Sequence, residues 1–579
     1  MTIINRGSGL INVNRVGAKL TESGFAIAAT IDGTDGDDSI TGTKEGDSIS
    51  TGAGRDTITG RDGDDTIFSG QNDDRVFGAR GNDFIYGDNG DDYLEGNLGD
   101  DTLGGVNGDD TLNGGGGSDW GFYTHFDRSD REGEGVNIDL NIQGTAQDTG
   151  GMGVDVLISI ENILGSNVND SITGNAADNF LVGNTGTDTI RGGEGNDIVL
   201  ADSTTMNDLH GGAGDDTVQG GGRVDGDDGN DLLVGQGGST TVKGGAGDDY
   251  AQGGFGADII NGGDGSDQLI ANGGNDTVDG GAGDDLVNVS IAFDLIGVSG
   301  DGTYRGGEGV DTISFFDTYF FGQDQGVKFN LTRESQQTSV GLVTQTGFEN
   351  IVGSAGAFLE PGGNDTLIGN GGDNSIFATW GNDLVRGAGG NDFLYGDHHM
   401  LPGVYVGDVQ GTTFVGDGSI NGTDTAGLFD DTLFGGAGND SLWGSEGSDK
   451  LVGGNGNDVY IYALLSDSDF DDPDSETDAG PDRINGFEAS NEDGTVADRI
   501  DVSLIDAVTD VAGDDTTTGD QSFTLVDTFT GTAGEVVTSY DEENTRTLVK
   551  FDVDGDGVAD MVIYLNGDHR DITQDNFVA

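Results

Sequence analysis

A nine-residue period constrains this chain more than any other feature. Residues 33–122 divide without gaps into ten nonapeptides, and the sixth place is aspartate in all ten: Asp38, Asp47, Asp56, Asp65, Asp74, Asp83, Asp92, Asp101, Asp110 and Asp119. The eighth place is aliphatic at Ile40, Ile49, Ile58, Ile67, Val76, Ile85, Leu94, Leu103 and Leu112, and fails only at Gly121. The register returns over residues 165–200, 211–219 and 226–288, at Gly306, and over 360–395 and 426–461. In those stretches the sixth place is Asp170, Asp188, Asp197, Asp216, Asp231, Asp249, Asp258, Asp267, Asp276, Asp285, Asp311, Asp365, Asp383, Asp392, Asp431, Asp440, Asp449 and Asp458. Asn179, Asn374 and Thr240 replace the aspartate, and Ala271 and Asn272 replace both leading glycines.

A unit of the form Gly-Gly-x-Gly-x-Asp-x-U-x, with U aliphatic, predicts a tight turn followed by a three-residue strand. Glycine admits positive φ in the turn, and strand alternation sends U inward while its neighbours face out. Two units then make one 18-residue coil, and coils stack about 4.8 Å apart. The expected fold is all-β: parallel β-roll (β-solenoid) segments with β-rich inserts and a β-rich C-terminal cap domain.

Charge decides what must accompany such a fold. Of 579 residues, 106 are Asp or Glu against 23 Lys or Arg, for a net charge of -83, and 33% are hydrophobic. A chain of this kind repels nucleic acid and anionic membranes, and it stays disordered unless its carboxylates are neutralised. Stacking puts Asp38 beside Asp56 and Asp47 beside Asp65. Paired carboxylates with turn carbonyls offer about six oxygens, which suits Ca2+. Magnesium prefers its waters, and zinc or iron would want imidazole or thiolate, which the turns lack. All the sixth-place aspartates are therefore candidate calcium ligands, with the substituted units weaker. Cysteine is absent, which removes disulfides and thiolate sites.

These units resemble the RTX, or repeats-in-toxin, haemolysin-type calcium-binding nonapeptide, whose fold is a parallel β-roll with calcium along both edges. Beyond Ile461, the segments DRINGFE, ADRIDVSLIDA, QSFTLVD, RTLVKFDVDGDGVADMVIYL and DITQDNFVA are similar to the C-terminal domain of serralysin-type secreted proteins. That resemblance implies a cap on the roll, a type I secretion signal at the extreme C-terminus, an exporter as partner and a secreted, extracellular location. The start, MTIINRGSGLINVNRVG, shows no basic region followed by an apolar block, and no apolar run is long enough to span a membrane. Within DVDGDGVAD, Asp552, Asp554, Asp556 and Asp560 take positions of a calcium-type loop with Gly557 at the turn, but Ile563 stands where an EF-hand needs glutamate. An Asp-Gly hairpin without metal is the competing reading.

The expected organisation is a lead-in at 1–32, a first roll at 33–122, an insert at 123–164 and a second roll at 165–288. A second insert at 289–359, a third roll at 360–461 with a loop at 396–425, and the C-terminal domain at 462–579 complete it. The first two inserts share a pattern, GVNIDL then IENILGS against GVKFNL then FENIVGS, and read as a duplicated module. No HExxH, GxSxG or Walker A motif occurs, and the histidines are His125, His210, His398, His399 and His569. The pair His398 and His399 admits a transition metal or a solvated loop. Phe84 with Tyr86, and Phe393 with Tyr395, are expected to face outward, as a sheet-stabilising ladder or as a sticky face for a glycan or cell surface. The sequence thus favours a non-enzymatic, calcium-dependent structural or adhesive protein over a secreted hydrolase with its site in an insert.

Overall fold

The structure is a computed structural model that describes residues 29–124, 135–289, 301–316, 326–338, 341–354, 363–379, 381–397, 430–445, 447–463, 481–490, 497–503, 505 and 523–578. The lead-in before Ala29, the loop after Asp397, and His125, His398 and His399 lie outside the described residues. The chain forms two compact units, Met1–Phe122 with Gly153–Ile160, and Tyr123–Met152 with Glu161–Ala579.

In the first unit successive nonapeptides alternate between two parallel sheets. One is built of Thr30–Asp32, Ser48–Ala53, Thr66–Gln71, Phe84–Asn89, Thr102–Asn107 and Trp120–Phe122, paired in that order. The other is built of Ser39–Thr41, Thr57–Asp62, Arg75–Arg80, Tyr93–Leu98, Thr111–Gly116 and Val154–Ile158. Register advances by one 18-residue coil, as in Ile49 opposite Ile67 opposite Ile85. The eighth-place residues from Ile49 to Leu112 are fully buried between the sheets. One aliphatic side chain per half-coil thus makes up most of this core, with Val106 and Phe122 also buried.

Most strands here are six residues long, not three, because the first three places of the following unit also join the ladder: Gly70 pairs with Gly52 and Gln71 with Ala53. The turn shrinks to the fourth to sixth places. Glycine is needed in that turn at Gly99, where φ is +133 and an added Cβ would lie 1.8 Å from the Gly81 carbonyl oxygen of the coil before.

The second unit repeats this arrangement over a longer ladder. One parallel sheet runs from Asn162–Leu164 through Phe180–Val182 and Ile198–Leu200 to Val459–Ile461. The nonapeptides stop there in sequence, but the pairing does not: Val459–Ile461 pairs with Arg499–Asp501, which pairs with Phe577–Val578. On the opposite side Lys450–Asn455 pairs with Arg483–Ile484, which pairs with Met561–Asn566; Arg546–Asp552 and Glu535–Asp541 follow antiparallel, and Thr524–Leu525 ends the sheet. The last residues of the chain therefore complete a coil.

The outward aromatic ladder forms in the first unit, where Phe68 lies against Phe84 and Tyr86 at centroid distances of 6.0 and 5.9 Å. In the second unit Phe377 likewise lies against Phe393 and Tyr395 at 5.9 and 6.1 Å, but there the row is covered. Tyr395 is buried against Trp443 and Ala463, because Trp443 in the next strand covers it.

Candidate metal centre

The sixth-place aspartates form columns along the edges of each roll. In the first unit each carboxylate Oδ1 accepts the backbone N–H of the sixth-place residue one coil earlier. Asp38, Asp56, Asp74 and Asp92 donate to Asp56, Asp74, Asp92 and Asp110 at 2.8 Å. Asp47, Asp65, Asp83 and Asp101 donate to Asp65, Asp83, Asp101 and Asp119 at 2.7–2.8 Å. In the second unit the same bond links Asp170 to Asp188, Asp197 to Asp216 and then Asp231, and Asp249 to Asp267, Asp285 and Asp311. It also links Asp258 to Asp276, Asp365 to Asp383, Asp431 and Asp449, and Asp392 to Asp440 and Asp458.

The second oxygen is the chemically telling one. Oδ2 of Asp56, Asp65, Asp83, Asp92, Asp101 and Asp110 is buried without a hydrogen-bond partner, as is that of Asp188, Asp197, Asp216, Asp231, Asp249, Asp267, Asp276, Asp285, Asp311, Asp383, Asp392, Asp431, Asp440 and Asp458. It points back at the first-place glycine of its own unit: a Cβ added at Gly60 would lie 2.0 Å from Asp65 Oδ2, and one at Gly87 2.3 Å from Asp92 Oδ2. A buried ionised oxygen with no donor is costly. Burial accordingly pushes Asp83 and Asp92 up to about 7 and Asp110 up to about 8; the neighbouring N–H opposes this and the other carboxylates of the column reinforce it. The donor set is all oxygen, negatively charged and repeated at every turn, which fits calcium.

Not every sixth-place carboxylate is left in this state. Asp38 Oδ2 accepts from Thr34 N–H at 2.6 Å, Asp47 Oδ2 from Thr43 N–H at 2.5 Å, and Asp170 and Asp365 Oδ2 from Ser166 and Ser354 N–H at 2.7 Å. Each of these begins a column, and a Gly-Ser or Gly-Thr pair supplies the donor. At the asparagines the ladder restarts, one coil after Glu161 and Glu349. Asn179 turns its Oδ1 to Asn175 N–H and its Nδ2 to the Glu161 carbonyl at 2.7 Å, and Asn374 does the same with Asn370 and Glu349. Thr240 donates N–H and hydroxyl to Asp258 Oδ1.

Several members of the columns lie outside the nonapeptides. Asp155 accepts from Asp110 N–H, Glu349 from Asp311, Asp482 from Asp449 and Asp498 from Asp458. Asp155, Asp482 and Asp498 stand two residues before a buried Leu157, Ile484 and Ile500, so the signal was the Asp-x-aliphatic triplet without its glycines.

In the C-terminal loop, carboxylate oxygens of Asp552, Asp554 and Asp560 lie within 4.8 Å of one another. Asp556 is not of that group; its Oδ1 accepts from Val558 N–H. Asp552 is buried, and its two oxygens accept from Gly555 and Gly557.

A family model described as the RTX calcium-binding nonapeptide repeat matches residues 32–67, 41–76, 68–103, 164–199, 204–222, 225–260, 234–269, 252–287, 362–394 and 425–460. Among solved structures, the AlgE6R2 subunit of the Azotobacter vinelandii mannuronan C5-epimerase is similar at 21% identity over 36% of this chain and 87% of that chain, with a TM-score of 0.17. The AlgE6R3 subunit of the same enzyme is similar at 25% identity over 36% and 80%, with a TM-score of 0.16. No curated protein matches the chain. Among the described residues no helix is long and apolar enough to cross a membrane. The matched segments are RTX calcium-binding nonapeptide repeats, and they build the parallel β-roll of this chain.

Proposed function

We propose that this chain is a secreted, calcium-dependent structural or adhesive protein whose roll folds as its carboxylate columns take up calcium. The observation that carries this is the repeated Oδ2, buried and without a donor, against a first-place glycine that leaves no room for a Cβ. Asp56, Asp65, Asp83, Asp92, Asp101 and Asp110, with their counterparts in the second unit, would hold the ions. When bound, calcium supplies the positive charge that these buried oxygens lack. In the folded roll the N–H donors to Oδ1 fix the orientation of these carboxylates. Folding and binding are then one linked equilibrium.

Export by a type I system through the C-terminal residues fits this reading, since a chain that cannot fold without calcium stays threadable where calcium is scarce. The outward row of Phe68, Phe84 and Tyr86 supports a glycan or cell-surface partner. Circular dichroism with chelator and then with calcium tests the proposal. At about pH 8 strand signal should appear only with calcium, and an unchanged signal after thorough chelation at that pH overturns it.

A further inference from the structure

One group of metal-ligating side chains lies away from the turns. Neighbouring strands Asn207–Ala213 and Gly222–Asp228 place His210 opposite Asp225 and Gly212 opposite Asp227. His210 Nδ1 is 3.0 Å from Asp227 Oδ2 and 3.8 Å from Asp225 Oδ2. One ligand atom from each of the three residues lies within 4.8 Å of the others. We propose that His210, Asp225 and Asp227 bind a single divalent transition metal of the zinc class, distinct from the calcium columns.

Spacing and chemistry agree on this class. Ligands held about 2.0–2.1 Å from a tetrahedral zinc stand about 3.3–3.4 Å apart, and the His210 distances bracket that value. Imidazole selects zinc, cobalt or nickel and is a poor ligand for calcium. The surroundings resemble a supporting shell. With Nδ1 free for the metal, Nε2 carries the proton and faces Asp208 Oδ1 at 3.4 Å, the carboxylate-histidine arrangement that orients a ligating ring. Arg223 Nε donates to Asp225 Oδ1 at 3.0 Å, and its terminal NH2 groups reach Asp225 Oδ2 and Asp208 Oδ1, so this guanidinium competes for Oδ2 and must turn from it when a metal binds. Asp225 and His210 side chains are 5% and 15% exposed, while Asp227, at 48%, leaves the group open to solvent on one side.

The neighbouring turn column also changes here. In this stretch one turn column loses its acids for three successive coils: Asn207, Gly222 and Thr240 stand in register between Asp188 and Asp258. The His210 group bridges the first two of those coils from the outer face. Asp227 occupies a place where the coils on either side have Gly212 and Gly245, and it holds φ +75. An aspartate kept in a glycine conformation is a local cost that ligation would offset.

The experiment is a Co2+ titration of the full chain in excess calcium, followed by the visible absorption of tetrahedral cobalt and by displacement with zinc. Wild type should bind one equivalent. His210→Ala should abolish the signal, and Asp208→Asn should weaken binding about tenfold. Asp227→Gly should lose the metal while folding at least as well in calcium, because it restores the glycine of the neighbouring coils. A variant carrying both His398→Ala and His399→Ala should bind as wild type does. The proposal is overturned if wild type binds no more tightly than His210→Ala, or if Asp227→Gly retains wild-type affinity; the group is then a surface ion-pair cluster.

Discussion

Without calcium, the roll should be more stable in mild acid than at alkaline pH, the reverse of its behaviour with calcium. Asp92 shows why. Burial, with the charges of Asp74, Asp73 and Asp91, raises its carboxyl from 3.8 to about 7. At about 1.4 kcal/mol per pH unit that displacement is worth about 4 kcal/mol. For a carboxylate raised in the folded state, the favourable contribution is complete below the unfolded value and is lost as pH rises through the folded one. At about pH 8 the metal-free roll therefore carries the full penalty at Asp92, Asp83 and Asp276, each raised to about 7. At about pH 5 protons have replaced the missing cations and most of it is gone. Far-UV circular dichroism and thermal melts in chelator should show strand content rising between about pH 8 and 5. With saturating calcium the carboxylates are held charged, their folded values are lowered, and stability should fall as pH falls through those lowered values. A calcium-free chain that loses strand signal over the same interval would refute the reasoning.

Three substitutions test the column geometry. Asp74→Ala removes the 2.8 Å acceptor of the buried Asp56 N–H and should cost about 1–3 kcal/mol more than Asp38→Ala, whose carboxylate accepts from Thr34; equal calorimetric losses contradict the ladder. Asn374→Asp sets a carboxylate against the Glu349 carbonyl that Nδ2 now reaches at 2.6 Å, and should destabilise the roll by about 1–3 kcal/mol without adding a calcium; a stabilised variant binding one more ion sinks this reading. Asn576→Ala removes Nδ2 bonds to the Ala489 and Asp498 carbonyls at 2.8 and 2.9 Å, and should cost about 2 kcal/mol of stability, lowering the Tm, while export continues. Deletion of residues 573–579, in contrast, should block export, and an unchanged Tm in Asn576→Ala would refute the packing of the chain end.

The period of nine determined the coil, the inward aliphatic and the pairing of sixth-place aspartates one coil apart, because a strand repeat of two and a turn that needs glycine leave one solution. That reasoning is local, and it worked wherever the unit is intact. It stopped at Ile461 because Arg483, Arg499 and Phe577 join the ladder through backbone pairing, which needs no glycine signature. Which carboxylates are short of a partner was likewise not legible from the period. Asp47 and Asp65 occupy the same place in the unit, yet Thr43 N–H satisfies one and nothing reaches Oδ2 of the other. The difference lies in whether a coil precedes, and only the stacked structure decides that. The His210 group is the extreme case: its members are 15 and 17 residues apart, at no motif spacing, and only strand register across a shortened coil brings them together.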